Sequence, residues 1–226
     1  MTAFRRISVA LAMEETGLVP LFYHSDPQVC KEVIAACHEG GAKVFEFTNR
    51  GDFAHEVFAD VRKWAHKELP GMMIGAGSVP DPATAAVFLQ MGADFIVAPS
   101  LNPEVARICN RRKVLWIPGC GTVTEISLAE ELGAEIVKIF PGNAVGGPQF
   151  VKAVKGPCPW TSIMPTGGVE PAEDNLAAWF RSGVTCVGMG SALITGMIVS
   201  EGNWKTLRET VKNTLAIIRR IRATLP

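Results

Sequence analysis

Short apolar runs of strand length alternate with longer amphipathic stretches along these 226 residues, and this repeat constrains the fold more than any other feature. The apolar runs, which we interpret as strands, span residues 18–23, 44–48, 72–78, 95–99, 115–120, 136–141, 162–167 and 184–190. The stretches with the 3.6-residue spacing of a helix include residues 28–39, 54–68, 83–90, 123–131 and 173–181. Strands separated by helices predict a parallel sheet that is buried on both faces.

Glycine residues mark several joints between these stretches. Gly40 and Gly41, then Gly92, Gly133 and Gly183, each lie between a helical stretch and the next apolar run. A helix often ends in a left-handed residue, and glycine adopts that conformation without steric cost. The glycines therefore predict helix ends at these positions and support the alternation of strands and helices.

About eight strand–helix units in one chain predict an α/β fold of the (β/α)8 TIM-barrel type, which runs from roughly 200 residues upward. We expect a single domain over residues 1–226, with a capping helix in 1–17, the barrel core in 18–194 and a closing helix in 203–222. An open, doubly wound sheet is the alternative arrangement. No G-x-G-x-x-G sequence opens a helix after the first strand, so the sequence does not support a dinucleotide site.

Composition narrows the classes of protein to consider. The 22 Lys and Arg residues balance 22 Asp and Glu residues, and a neutral chain lacks the basic surface that nucleic acid or anionic lipid requires. With 48% hydrophobic and 19% charged residues, the chain has the composition of a folded domain. No apolar run reaches the roughly 18–20 residues that span a bilayer. We predict a cytoplasmic protein with neither a membrane nor a nucleic-acid partner.

The six cysteines show neither a zinc-binding spacing nor a C-x-x-C pair, and the four histidines show no metal-binding pattern. Scattered thiols of this kind indicate buried cysteines in a reducing compartment. We expect neither a metal nor an organic cofactor. Residues 7–13 form an apolar segment after two arginines, but two glutamates follow it at once, so we predict an amphipathic helix rather than a signal sequence.

Two of the predicted strands contain a charged residue, which is unusual for strands buried on both faces. Successive side chains of a strand alternate between the two faces of the sheet. In the second strand this alternation places Glu46 and Thr48 inside the barrel, and in the sixth strand it places Lys138 and Phe140 there. A carboxylic acid and an amine are thus expected near the carboxyl ends of their strands, where barrel enzymes keep their active sites.

This pair of charged residues allows two interpretations. Glu46 and Lys138 could form a structural ion pair, although burying two charges can cost as much free energy as their attraction returns. Alternatively, Lys138 could condense with a substrate carbonyl while Glu46 transfers protons, since a desolvated amine is a nucleophile when it is uncharged. Arg50, on the same face as Glu46, could hold the carboxylate of a 2-keto acid or could lie at the rim with an exposed partner.

The glycine-rich sequences P-T-G-G and G-M-G-S end the last two predicted strands. Loops after strands seven and eight of such barrels often bind phosphate through backbone N–H groups. We therefore predict an anion site at Gly167, Gly168, Gly190 and Ser191, although either turn alone could serve only to reverse the chain. Ser78, at the end of the third strand, could contact the substrate carboxylate or cap the following helix.

At these residues the chain resembles the family of class I aldolases that act on 2-keto-3-deoxy-6-phosphogluconate (KDPG) and 4-hydroxy-2-oxoglutarate (KHG). The segments that carry the resemblance are E-x-T-x-R at residues 46–50, G-A-G-S at 75–78, A-P-S-L at 98–101, I-P-G at 117–119, K-x-F-P at 138–141, P-T-G-G at 165–168 and M-G-S at 189–191. Gly51 follows the arginine where the family usually has threonine, and Ser100 takes the place of the family's usual glycine.

The resemblance implies that Lys138 forms the Schiff base and that Glu46 is the general acid and base. It implies that the other site residues surround the substrate: Arg50 and Ser78 at the pyruvate carboxylate, Pro99, Phe140 and Thr166 in the pocket wall, and Gly167, Gly168, Gly190 and Ser191 at a distal phosphate. We place Thr48, which points inward, among the substrate-binding residues. The resemblance also implies a homotrimer that needs no metal.

The sequence thus predicts a carbon–carbon lyase that cleaves a 2-keto-4-hydroxy acid, KDPG or KHG, to pyruvate plus glyceraldehyde 3-phosphate or glyoxylate. A phosphorylated substrate fits the predicted anion site, but the same pyruvate machinery would accept a non-phosphorylated one. Two alternatives stay open: a sugar-phosphate epimerase or isomerase with Lys138 as a proton base, and a non-catalytic ligand-binding scaffold.

Overall fold

Strands and helices alternate along residues 3–225, which are the residues that the computed structural model describes. The strands are Leu18–Phe22 (β1), Val44–Thr48 (β2), Met73–Gly77 (β3), Phe95–Val97 (β4), Leu115–Ile117 (β5), Gly119–Cys120 (β6), Val137–Ile139 (β7), Ile163–Pro165 (β8) and Val187–Met189 (β9). The helices are Arg6–Thr16 (α1), Pro27–Glu39 (α2), Ala54–Glu68 (α3), Pro82–Gln90 (α4), Pro103–Arg112 (α5), Val123–Glu131 (α6), Gly147–Lys155 (α7), Glu173–Arg181 (α8), Gly196–Ser200 (α9) and Trp204–Arg222 (α10).

Each of the eight predicted strand segments contains a strand, and the fifth contains two, β5 and β6, which are separated by Pro118. Proline has no N–H group to donate to a sheet, which explains the interruption. Helices α1 and α10 lie in the segments where we expected the capping and closing helices. Residues 1, 2 and 226 of the predicted domain lie outside the described residues.

Local sequence signals account for where many helices begin and end. Helices α2, α4 and α5 each start with proline, directly after Asp26, Asp81 or Asn102, whose side chain accepts a backbone N–H of the first turn. The predicted helix ends are confirmed, because Gly41, Gly92, Gly133 and Gly183 have φ between 84° and 102°.

Every strand pairing in the described range is parallel. One sheet has six strands in the order β5-β4-β3-β2-β1-β9, and the other has three in the order β6-β7-β8. The two sheets meet at both ends: Pro118 alone separates β5 from β6, and Thr166, directly after β8, forms a parallel bridge with Gly188 of β9. The α/β class and the parallel sheet predicted from the sequence are therefore confirmed.

Buried apolar side chains form two clusters that follow the alternation of the strands. Phe45 and Phe47 of β2 belong to the larger cluster, together with apolar residues of the surrounding helices. Val44 of β2 and Leu115 of β5 belong to the smaller cluster, together with residues of α1. Helix α1 thus packs on the inner faces of the strands near their amino ends, and the carboxyl ends lie at the opposite side.

No helix within residues 3–225 combines the length and the apolar character needed to cross a bilayer. Within the same range, no three His, Cys, Asp or Glu side chains are grouped as metal ligands would be.

The cysteine side chains predict a selective labelling pattern. Five are buried, and Cys158 is half-buried. Burial raises the pKa of the Cys30 thiol to about 11 and the pKa values of Cys109, Cys120 and Cys186 to about 12. In native protein at neutral pH, iodoacetamide should therefore modify Cys158 first and the others only after denaturation. Peptide mass spectrometry measures this order, and equal labelling of a buried thiol in the native protein would contradict it.

Candidate active site

The structure brings Glu46 of β2 and Lys138 of β7 together, although their strands belong to different sheets. Lys138 Nζ lies 3.7 Å from Glu46 Oε1, and the two side chains are only 7% and 1% exposed. Their neighbours Phe45 and Val137 pack in the cluster that faces the helices, so the charged side chains point to the opposite, inner side. The orientation predicted from alternation is confirmed for both strands.

Lys138 is held by a rigid piece of backbone. Its residue pairs with Gly119 of β6 on one side and Met164 of β8 on the other, and its N–H donates to the carbonyl of Pro118 at 2.8 Å. The amine lies 5.0 Å from the centroid of the Phe140 ring. A cation near an aromatic face is attracted by the ring, and the apolar ring also excludes water from the amine.

Glu46 occupies space that a glycine leaves free. A Cβ atom on Gly77 would lie 1.9 Å from Glu46 Oε1, so no other residue fits at that point of β3 while the carboxylate stays where it is. Glu46 Oε2 is buried and has no hydrogen-bond partner among residues 3–225. Leaving a buried acceptor unpaired costs about 1–3 kcal/mol. This oxygen is therefore available to accept a hydrogen bond from a group that enters the site, such as a water molecule or a substrate hydroxyl.

A cavity of about 430 Å³ opens at the carboxyl ends of the strands. The predicted site residues that line it are Thr48, Arg50, Phe140, Thr166, Gly167, Gly168, Gly190 and Ser191. Glu46 and Lys138 are not part of this lining. Each lies two residues before an inward-facing residue that does line it, Glu46 before Thr48 and Lys138 before Phe140, and is therefore deeper in the fold. The buried hydroxyl of Thr166 also lacks a partner among the described residues. The charged pair therefore lies beneath a cavity that contains hydrogen-bonding groups without a protein partner.

Arg50 is exposed at this cavity, two residues after the end of β2. Its guanidinium forms no salt bridge with any residue between 3 and 225. The alternative of a rim arginine with a protein partner is therefore not supported. A guanidinium without a protein partner is suited to bind a carboxylate through two parallel hydrogen bonds.

The loop after β8 presents backbone donors to the same cavity. Gly167 and Gly168 have φ of 95° and 75°, and the N–H groups of Gly168 and Ser191 donate to no other described residue. Asn175 and Trp179 of α8 donate to the carbonyl of Gly168 at 3.1 and 3.2 Å and hold the loop in place. Successive N–H groups in a fixed, concave backbone form a binding site for an anion.

Two predicted residues, Ser78 and Pro99, do not line the cavity. Ser78 is half-buried and has the left-handed φ of 58°. The alternative that Ser78 caps the next helix is wrong, because the cap of α4 is Asp81, which accepts the N–H of Thr84 at 2.8 Å. Pro99 is half-buried, and its carbonyl is so close to Gly119 that a Cβ there would clash at 2.1 Å.

Several further residues line the cavity that were not predicted to belong to the site. They are Leu21, Phe22, Tyr23, Val169, Glu170, Gly188, Ala192 and Ile194. The first three lie at the end of β1 or directly after it. Their position could have predicted them, because the carboxyl end of every barrel strand faces the site. Glu170 lies two residues after the P-T-G-G segment and brings a carboxylate next to the predicted anion loop.

A family model and several relatives of this chain are aldolases. A family model described as KDPG and KHG aldolase matches residues 9–210. The 2-dehydro-3-deoxy-phosphogluconate aldolase of Pseudomonas aeruginosa is 36% identical over 177 residues, which are 78% of this chain and 77% of that protein. The KHG/KDPG aldolase of Escherichia coli strain K12 is 33% identical over 179 residues, 76% of this chain and 80% of that protein. A solved KDPG aldolase of Legionella pneumophila, 24% identical, superposes with a TM-score of 0.82 over 91% of this chain and 97% of its own, which shows a common fold.

Proposed function

Since this chain belongs to the KDPG and KHG aldolase family, we propose that it cleaves a 2-keto-4-hydroxy acid through a Schiff base on Lys138. The observation that carries the proposal is the buried amine of Lys138, 3.7 Å from the Glu46 carboxylate and beneath a cavity with anion-binding features. Buried ion pairs contribute little to stability, so a pair at the base of a cavity is better explained by chemistry.

The reaction begins at the ketone carbon of the substrate. The Lys138 amine adds to this carbon, and the resulting carbinolamine loses water to form a cationic imine. Glu46 supplies the proton that leaves with the hydroxyl as water. The imine then accepts the electron pair of the C3–C4 bond when the C4 hydroxyl loses its proton and the aldehyde departs. Protonation of the enamine at C3 and addition of water release pyruvate and restore the free amine.

Glu46 is suited to the proton transfers because its position is fixed and one of its oxygens is free. Oε1 faces the Lys138 amine, while the buried Oε2 has no partner within the described residues. A positioned carboxyl group of this kind contributes about 10²–10⁴-fold to rate by transferring protons in the transition state.

The remaining site residues bind the two ends of the substrate. Arg50 and Ser78 hold the carboxylate next to the ketone, with Thr48 beside them and with Pro99 near the reacting carbon. Phe140 and Thr166 contact the substrate next to the imine. The N–H groups of the glycine loops, at Gly167, Gly168, Gly190 and Ser191, bind a distal phosphate, as in KDPG. The aldehyde product is then glyceraldehyde 3-phosphate; with KHG it is glyoxylate.

The strands of this site, we infer, form one closed (β/α)8 barrel in a single domain. Three observations support closure: the short Pro118 interruption between β5 and β6, the bridge from Thr166 to Gly188, and the Thr185 N–H donating to the carbonyl of Ile163 at 2.9 Å. The homotrimer and the cytoplasmic location that the sequence suggested belong to the same proposal.

The similar proteins favour the aldolase over the alternative of a sugar-phosphate epimerase or isomerase. The curated relatives described above are aldolases over at least three quarters of this chain. The alternative predicts a Lys138 that only abstracts protons and never bonds to the substrate. A scaffold without catalysis agrees even less well with the structure, because ligand binding alone does not require a fixed carboxylate beside the Lys138 amine.

Chemical trapping tests the proposed function directly. When sodium borohydride is added in the presence of pyruvate, it should reduce the imine and leave a stable pyruvyl adduct on Lys138. Peptide mass spectrometry locates the adduct, and borohydride without pyruvate is the control. An unmodified chain, or an adduct on another lysine, would rule out the proposed chemistry.

A further inference from the structure

Tyr23 is the one tyrosine of the chain, and it lines the cavity without a role in the reaction described so far. It directly follows β1, which pairs with β2 on one side and with β9 on the other. Strand β2 leads to Arg50, and β9 leads to Gly190 and Ser191. The order of the strands therefore places Tyr23 between the proposed carboxylate-binding residue and the proposed phosphate-binding loop.

The Tyr23 ring is fixed, but its hydroxyl group is free. The ring meets Phe47 edge-on, with centroids 5.5 Å apart and planes at 88°, and Phe47 is completely buried. The hydroxyl forms no hydrogen bond with any residue between 3 and 225. A half-buried tyrosine usually directs its hydroxyl to a partner. The hydroxyl is not a buried atom and lies at the open cavity, so it is available to a bound ligand.

Gly51 provides the space for this hydroxyl. Its φ of 97° is left-handed, and a Cβ at this position would lie 3.3 Å from Tyr23 Oη, with the rest of the ring edge within 3.8 Å. A longer side chain at position 51 would compete with the phenol for the same volume. The sequence thus combines a large polar side chain after β1 with the smallest residue after β2.

We propose that Tyr23 determines specificity by donating a hydrogen bond to the hydroxyl of the aldehyde half of the substrate. In glyceraldehyde 3-phosphate this is the hydroxyl on C2, the carbon between the aldehyde carbon and the carbon that carries the phosphate. The inference rests on the proposed function, because it takes the carboxylate and phosphate ends of the substrate from it. A site built to pair with a hydroxyl discriminates strongly against an analogue that lacks it, since its polar group is then left without a partner.

The test compares two aldehydes in the condensation with pyruvate. Glyceraldehyde 3-phosphate carries the hydroxyl, whereas 3-phosphooxypropanal lacks only that group. Tyr23→Phe should lower kcat/KM for glyceraldehyde 3-phosphate by about 10- to 50-fold, as expected for one lost hydrogen bond in a partly dry site. It should change kcat/KM for 3-phosphooxypropanal by less than about twofold, because neither protein can pair with the missing hydroxyl.

Two outcomes would overturn the role of Tyr23. An equal loss with both aldehydes would mean that the phenol acts through packing or through the phosphate, and no loss with either would mean that the hydroxyl makes no contact. Borohydride trapping of pyruvate separates these results from a failure of the proposed function. Tyr23→Phe should be trapped as efficiently as the wild-type protein, whereas a wild-type protein that gives no adduct would contradict the aldolase chemistry itself.

Discussion

Replacing Lys138 with methionine should lower kcat for substrate cleavage by about 10⁴-fold or more and abolish the pyruvate adduct. Methionine fills a similar volume but has no nitrogen, so neither the carbinolamine nor the imine can form. When several residues act as one catalytic unit, removing the nucleophile abolishes nearly all of the rate acceleration that the unit provides. Pyruvate release, followed by a coupled reduction, measures the loss.

Folding must be separated from chemistry in this experiment, because Lys138→Met leaves the buried Glu46 carboxylate without its cation. Removing one partner of a buried pair costs about 3–5 kcal/mol of stability. Lys138→Arg keeps the positive charge but forms no stable imine with a ketone. Both variants should be inactive, and the circular dichroism spectrum of Lys138→Arg should match that of the wild type.

Lys155 offers a matched control among the other lysines. Burial lowers the pKa of its amine, and Nζ donates to the carbonyls of Pro159 and Thr161 at 2.7 and 2.8 Å. It is thus a second partly desolvated amine, but one that lies away from the cavity lining. Lys155→Met should leave trapping and turnover within about twofold of the wild type. Turnover retained by Lys138→Arg would contradict the Schiff-base mechanism, because a guanidinium forms no stable imine with a ketone.

The sequence predicted the strands well because their signal is physical and strong. Continuous apolar runs between polar joints can be recognised even when a strand such as β4 has only three residues. Helices α5 and α7 were not predicted, each for a different reason. The buried face of α5 consists of Val105, Ala106 and Cys109, so it lacks the large apolar side chains that mark a helix most clearly in a sequence. Helix α7 begins at two glycines followed by proline, a sequence typical of a turn.

The site was predictable where side-chain direction follows from strand alternation, and it was not predictable in the loops. Glu46 and Lys138 lie inside strands, so period-two counting gave their orientation. Ser78 lies one residue after β3 in a left-handed conformation that no alternation rule anticipates. The place of Tyr23 at the cavity likewise depends on the turn after β1 and on a glycine 28 residues later in the chain.

Glu46→Gln should lower kcat for cleavage by about 10²–10⁴-fold while pyruvate trapping on Lys138 persists. Glutamine keeps the shape of the side chain next to Gly77, but its amide cannot take up or release a proton at neutral pH. Imine formation is then slowed but still possible, because water can assist the loss of the hydroxyl group. Steps that transfer a proton to or from carbon depend on the missing carboxyl group most.

Proton transfer at C3 can be measured separately, because pyruvate bound as the imine exchanges its methyl protons with deuterium in heavy water. This exchange needs the imine and the removal of a C3 proton, and it needs no aldehyde. Wild-type protein should exchange these protons at a rate measurable by NMR, and Glu46→Gln should slow the exchange by about the same factor as it lowers kcat. Glu170→Gln removes the exposed carboxylate at the cavity wall and should leave the exchange within about twofold. If Glu46→Gln exchanges protons at the wild-type rate, another group carries the proton to C3. The Glu46 carboxylate, 3.7 Å from the Lys138 amine, would then only stabilise the positive charge of that amine.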